Sequence, residues 1–86
     1  MAKKVKPQPF PLMDQELDAV TLGEIVRASR TQAGLGIHEA AAFCGVAVDT
    51  LSKIEKGRDV RLSSVFKICK MLGLRLEVDT GESLGV

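Results

Sequence analysis

Glycines at positions 34, 45, 57 and 73 each stand just after a stretch whose apolar residues recur at helical spacing. A glycine there lets a helix end in a left-handed turn. Punctuation that regular confines the chain to short helices of about 8–13 residues, joined by about 2–5 residues, and such helices cross steeply instead of forming a long bundle. The first stretch, TLGEIVRASRTQA, opens on Thr21 with Glu24 three residues on, the pattern of a capping box. Leu22, Ile25, Val26 and Ser29 make its inner stripe, with Ala33 near the end. The second, GIHEAAAFC, sets Ile37, Ala40, Ala41 and Cys44 on one face. The third, VDTLSKIEK, presents Leu51 and Ile54, with Val46 just before it. The fourth, LSSVFKICKML, presents Leu62, Val65, Phe66, Cys69 and Leu72. Then the period changes. Leu74, Leu76 and Val78 alternate with Arg75, Glu77 and Asp79, the period-two pattern of a strand.

Outside these stretches the chain reads differently. Residues 1–11 hold three prolines and three lysines and predict an extended or disordered arm. Residues 12–20 hold acids and helix formers enough for one helical turn. The organisation is therefore an arm with a short acidic segment over 1–20, one domain over 21–79, and a frayed tail over 80–86. A single core in an 86-residue chain is thin, and thin cores are often completed by a partner chain, a metal or disulfides. Cys44 and Cys69 stand 25 positions apart with no CxxC, and His38 is the one histidine, so no zinc site is expected. The two cysteines read as buried small hydrophobes with reduced thiols. No apolar run approaches the ~18 residues that span a bilayer, and the basic start lacks the apolar stretch of a signal peptide. A cytoplasmic protein without a membrane partner is expected.

Catalysis has little to stand on. No nucleophile–base pair surrounds His38, no glycine-rich phosphate loop occurs, and no carboxylate pair marks a cleft, so neither an enzyme nor a cofactor is expected. With no Trp, no Tyr and three Phe, stacking platforms for single-stranded nucleic acid are not expected either. Net charge is +1, which announces no partner, but the charges are unevenly placed. Lys3, Lys4 and Lys6 have no acid among them; Asp14, Glu16, Asp18 and Glu24 have no base between them. Residues 53–61 carry Lys53, Lys56, Arg58 and Arg61 against Glu55 and Asp59. Each cluster suits either a solvated face or a binding surface.

The second and third helical stretches are joined through Gly45-Val46-Ala47, and a helix, a tight glycine turn and a second helix make a helix-turn-helix unit. Small Ala40 and Ala41 permit close approach, and Val46, Leu51 and Ile54 pin the third helix. Its outer face is then Val48, Asp49, Ser52, Lys53 and Lys56, placed to enter a DNA major groove. His38 falls at the start of the second helix, where free backbone N–H groups can hold a phosphate.

The run AGLGIHEAAAFCGVAVDTLSKIEKG resembles the helix-turn-helix of the lambda-repressor-like (Xre/Cro) proteins, through Ala33-Gly34-Leu35, Glu39, Ala41, Gly45-Val46, Thr50-Leu51-Ser52, Ile54-Glu55 and Gly57. The resemblance covers residues 22–78. The opening LGEIVRASR and the ending LGLRLEV are similar to HipB-type antitoxins, the DNA-binding partners of HipA-like kinase toxins. The implied fold is all-α, a compact four-helix domain whose C-terminal strand pairs across a dimer through Leu74, Arg75, Leu76, Glu77 and Val78. A lone strand needs a second strand in any case. The implied function is an antitoxin and repressor that binds an operator palindrome as a homodimer, autoregulates its operon and neutralises a kinase toxin. The resemblance also implies an ion pair between Arg30 and Glu55 that ties the first helix to the third, and DNA-backbone contacts from Arg58 and Arg61 in the following loop.

The chain departs from the family pattern where DNA contacts cluster. Gly36-Ile37 replaces the usual Thr/Ser-Gln, Ala47 replaces the Ser or Thr cap of the recognition helix, and Val48 and Asp49 replace longer polar readers. Asp49 repels phosphate, yet an acid can accept from cytosine N4. A stand-alone repressor, or a helix-turn-helix scaffold used to bind protein, are the alternative functions. Lys3, Lys4 and Lys6 read as a solubilising tail, with an arm along the DNA backbone or minor groove as the alternative.

Overall fold

The computed structural model describes residues 5–11 and 16–80. The expectations for Lys3, Lys4, residues 12–15 and the tail 81–86 lie outside them. Four helices follow in order: α1 (Ala19–Gln32), α2 (Ile37–Cys44), α3 (Val48–Glu55) and α4 (Leu62–Met71).

Helix α1 starts earlier than its sequence pattern suggests. Asp18 is the N-cap, in extended conformation, and its Oδ1 accepts from the Thr21 backbone N–H at 2.7 Å. Thr21 is therefore the capped residue, buried inside the helix, and Thr21 with Glu24 forms no capping box. A carboxylate at a helix N-terminus also meets the positive end of the helix dipole, which favours Asp over Thr for the position. The Thr21 hydrogen bonds hold the Asp18 carboxyl below the ordinary value. Its cap thus contributes above the ordinary carboxylate pKa and is lost as pH falls through the lowered one.

The glycines end the helices as their spacing predicts. Gly45 has φ +71°, and across it Val46 N donates to Ala41 O at 3.0 Å, the closing bond of a left-handed helix end. The same bond follows the other three helices, from Leu35 to Arg30, Arg58 to Lys53 and Leu74 to Cys69. Leu35, Val46 and Leu74, each just past its glycine, turn back onto the core, so each stop also supplies an apolar contact.

That core is Val26, Ala40, Ala41, Cys44, Leu51, Ile54, Val65, Ile68 and Cys69. Both thiols are free and buried, and burial pushes both above their ordinary pKa, which suits packing and not nucleophilic chemistry. Helix α4 keeps three residues of its expected stripe and exchanges Leu62 and Phe66 for Ile68. Val65, Ile68, Cys69 and Leu72 face inward, while Leu62 and Phe66 are 64% and 52% exposed. The i, i+3, i+4, i+7 set beginning at Val65 fills the inner face, and Leu62 and Phe66 fall outside it.

The expected strand at 74–78 does not form within the single chain: no strand occurs among the described residues. Leu74 packs on the core, but Leu76 and Val78 are exposed, and no second segment offers a ladder. The segment passes beside α1, and Leu17, Leu22, Ile25, Leu74 and Leu76 line a cavity of about 270 Å³ there. Among the described residues no helix is long and apolar enough to cross a membrane.

Candidate nucleic-acid interface

Helices α2 and α3, with the Gly45 turn between them, form the helix-turn-helix unit. The α2 N-terminus is capped from one side only, by Glu39 Oε1 accepting from Gly36 N at 3.1 Å. His38 lies exposed in that first turn. Ile37 is half-buried against the core, so the position that carries a Gln in the resembled family is spent on packing here. Lys67 of α4 donates from Nζ to Gly45 O at 3.1 Å, tying α4 to the turn. A cation at this helix end also meets the negative end of the α2 dipole. Nothing in the spacing of Lys67 signals this tertiary bond.

Helix α3 has Ala47 as N-cap and no side-chain cap bond. Its expected outer residues divide. Val48 is half-buried and packs on the core, so little of it is left for a groove. Asp49, Lys53 and Lys56 are exposed, and Ser52 is half-exposed. Asp49 Oδ2 and Lys53 Nζ form an ion pair at 3.1 Å across one helical turn. The one acid of that face and one of its two lysines are therefore paired in the free protein. Such exposed i,i+4 pairs are worth only about 0.3–0.5 kcal/mol, so Lys53 is easily released to a phosphate.

The opposite end of α3 is held from inside. Arg30 of α1 donates from Nε to Glu55 Oε2 at 2.6 Å and from Nη2 to Glu55 Oε1 at 2.9 Å. Its Nη1 donates to Leu35 O at 3.0 Å, so one guanidinium joins α1, the α1–α2 turn and α3. The two side chains are 10% and 7% exposed. With Glu55 spent inside, the exposed charges of residues 53–61 are Lys53, Lys56, Arg58 and Arg61 against Asp59 alone. Arg58 lies in the loop after α3 and Arg61 is the N-cap residue of α4, both exposed. The surface is therefore more basic than the sequence count suggests.

A family model described as "Helix-turn-helix domain" matches residues 21–80, well over half of the chain. The chain belongs to the helix-turn-helix domain family. It is a domain of the Xre/lambda-repressor type, which points to a DNA-binding regulator. No curated protein matches the chain. In a helix-turn-helix domain the second helix of the unit enters the major groove by its N-terminal residues while the first crosses the backbone. In this domain the second and first helices of the unit are α3 and α2, and the first exposed side chain at the N-terminal end of α3 is Asp49.

Proposed function

We propose that the chain is a homodimeric DNA-binding repressor, cytoplasmic and non-enzymatic, that serves as the antitoxin of a HipA-like kinase toxin and represses its own operon. The observation that carries the DNA reading is the match to the helix-turn-helix family over residues 21–80, together with an exposed recognition helix flanked by Lys56, Arg58 and Arg61. The antitoxin reading rests on the resemblance of LGEIVRASR and LGLRLEV to HipB-type proteins. The dimer reading is supported by large apolar side chains left exposed on α4 and the C-terminal segment: Leu62, Phe66, Met71, Leu76 and Val78. A small monomer seldom leaves such a set in water.

Two operator half-sites about one helical turn apart, roughly 34 Å, are expected for this dimer. Titration of a duplex carrying the chain's own promoter, at several salt concentrations, tests the DNA reading. Lys53→Ala is expected to flatten the salt slope by about 0.9. Asp49→Ala either relaxes preference at one base pair by ~1–3 kcal/mol, if the carboxylate reads a cytosine, or tightens binding to every duplex, if it only repels. No change from either substitution removes α3 as the groove-facing element.

Sedimentation tests the dimer. Replacing both Leu76 and Val78 by Lys leaves Leu74 on the core, and a folded monomer is the expected result. A dimer of unchanged stability would rule out residues 74–78 as the pairing element. Co-purification with the product of the neighbouring gene tests the toxin. If that protein is no kinase and does not bind, the chain is a stand-alone repressor.

A further inference from the structure

The segment that follows α4 has an open backbone. Leu74 N donates to Cys69 O at 2.7 Å, and beyond it no backbone–backbone hydrogen bond among the described residues involves residues 75–78. An open row of N–H and C=O groups is a template for a second strand. Leu74 and Leu76 line a hollow on each flank of the segment, one of about 350 Å³ against Phe66, Cys69 and Lys70 of α4, the other of about 270 Å³ against Leu22 and Ile25 of α1. Val78 lines neither and is 89% exposed. Arg75 and Glu77 are exposed between these apolar positions.

Two identical strands about a twofold axis have few registers to choose from. In an antiparallel pair, opposite residues share a face and lie about 5 Å apart. An axis between two residues sets charge against apolar along the ladder, for instance Leu76 against Glu77 and Arg75 against Val78. An axis through Arg75 opposes the two guanidinium groups, and one through Glu77 opposes two carboxylates. An axis through Leu74 runs the partner strand into α4, and one through Val78 sets Glu77 against Asp79. A parallel, unshifted pair brings like charges alongside each other. The axis through Leu76 matches every position: Leu74 faces Val78, Leu76 faces its twin, and Arg75 faces Glu77 twice. We propose that two copies of the chain join in this register, and that the two Arg75–Glu77 pairs fix it and confine the pairing to a second copy of this chain, an inference that rests on the homodimer reading above. The contact is isologous, as a twofold axis requires. It sets the partner's Val78 opposite Leu74, over one of the two hollows, so the most exposed large apolar side chain gains an apolar neighbour.

The test is sedimentation of the full chain over a dilution series, with the parent measured first. A parent that stays monomeric at every concentration removes the homodimer reading, and the register with it. Given a dimeric parent, Arg75→Glu and Glu77→Arg are each expected to raise the dissociation constant roughly tenfold, because two attractive pairs become two repulsive ones. Added salt shrinks that difference, which a lost fold would not show. An equal mixture of the two single variants is expected to pair again near the parental constant, since each carboxylate of one chain then meets an arginine of the other. The double variant Arg75→Glu/Glu77→Arg is expected to recover as a homodimer and, by native mass spectrometry, to form few mixed dimers with the parent. Both side chains are exposed, so circular dichroism of each variant should match the parent. Single variants that dimerise as the parent does overturn the register and leave the dimer standing. So does a double variant that mixes freely with the parent, which is the result of parallel strands.

Discussion

Glu55→Ala lowers the stability of the domain by about 3–5 kcal/mol, because it leaves the Arg30 guanidinium buried with no carboxylate. What remains to that guanidinium is one carbonyl, Leu35 O. A domain this size has a total stability on the order of 5–15 kcal/mol, so the loss approaches unfolding. The melting temperature is expected to drop by roughly 12 °C or more, read by circular dichroism. Arg30→Ala has the same sign, since it strands the carboxylate. Replacing both residues by Met separates stability from function. A buried pair exchanged for apolar side chains of similar volume is often neutral, so the double variant is expected to recover most of the melting temperature. It does not recover the fork that joins α1, the α1–α2 turn and the last turn of α3. The recognition helix then keeps its fold but loses its fixed angle to α2, and promoter affinity stays below that of the parent. A Glu55→Ala chain that melts within a few degrees of the parent would show that the pair relaxes into solvent.

The helix ends were legible because a left-handed turn has one favoured residue, and the four glycines mark all four stops. The helix-turn-helix unit was legible for the same reason, since Gly45 and the small residues before it admit little else. The start of α1 was not, because Asp18 and Thr21 both qualify as caps by residue type, and only the better acceptor decides. The face of α4 was misread at Leu62 and Phe66, where apolar residues surround the helix and periodicity alone does not choose the inner stripe. In the site, Arg30 and Glu55 were found through family resemblance; 25 positions apart, they carry no local signal. Asp49 and Lys53 do carry one, their i,i+4 spacing, and the structure pairs them. Contacts between a side chain and distant backbone, such as Lys67 on Gly45 or Gln32 on Gln8, leave no mark in the pattern.

Gly23 is the position where propensity and structure predict opposite signs. It lies within α1, where a glycine costs about 1 kcal/mol relative to alanine, so helix propensity alone predicts that Gly23→Ala stabilises. Its backbone conformation is ordinary for any residue, and what forbids a side chain is space. A Cβ there meets Ile54 O, and lies 2.8 Å from Glu55 O and 3.0 Å from Glu55 C. These are backbone atoms of the last turn of α3 and cannot rotate away as the end of a flexible side chain does. Relief requires α1 and α3 to part, which loosens Val26 against Ile54 and stretches the Arg30–Glu55 fork. Overpacking of this kind costs about 1–3 kcal/mol before the fork is counted, and the fork adds to it, so the clash outweighs the propensity gain. Gly23→Ala is therefore expected to lower the melting temperature by several degrees and, if α3 enters the groove as proposed, to weaken promoter binding. Combined with Glu55→Ala, its effect is expected to be less than additive, because both act on the same joint. Gly36→Ala is the control. A Cβ there meets only Glu39 Oε1 at 3.4 Å, so no clash is expected, and the loss is the ordinary one of replacing a glycine N-cap by alanine, about 0.5–1 kcal/mol. A rise in melting temperature for Gly23→Ala would mean that α1 and α3 do not meet as closely as these distances require, and that the recognition helix is positioned from α2 and α4 alone.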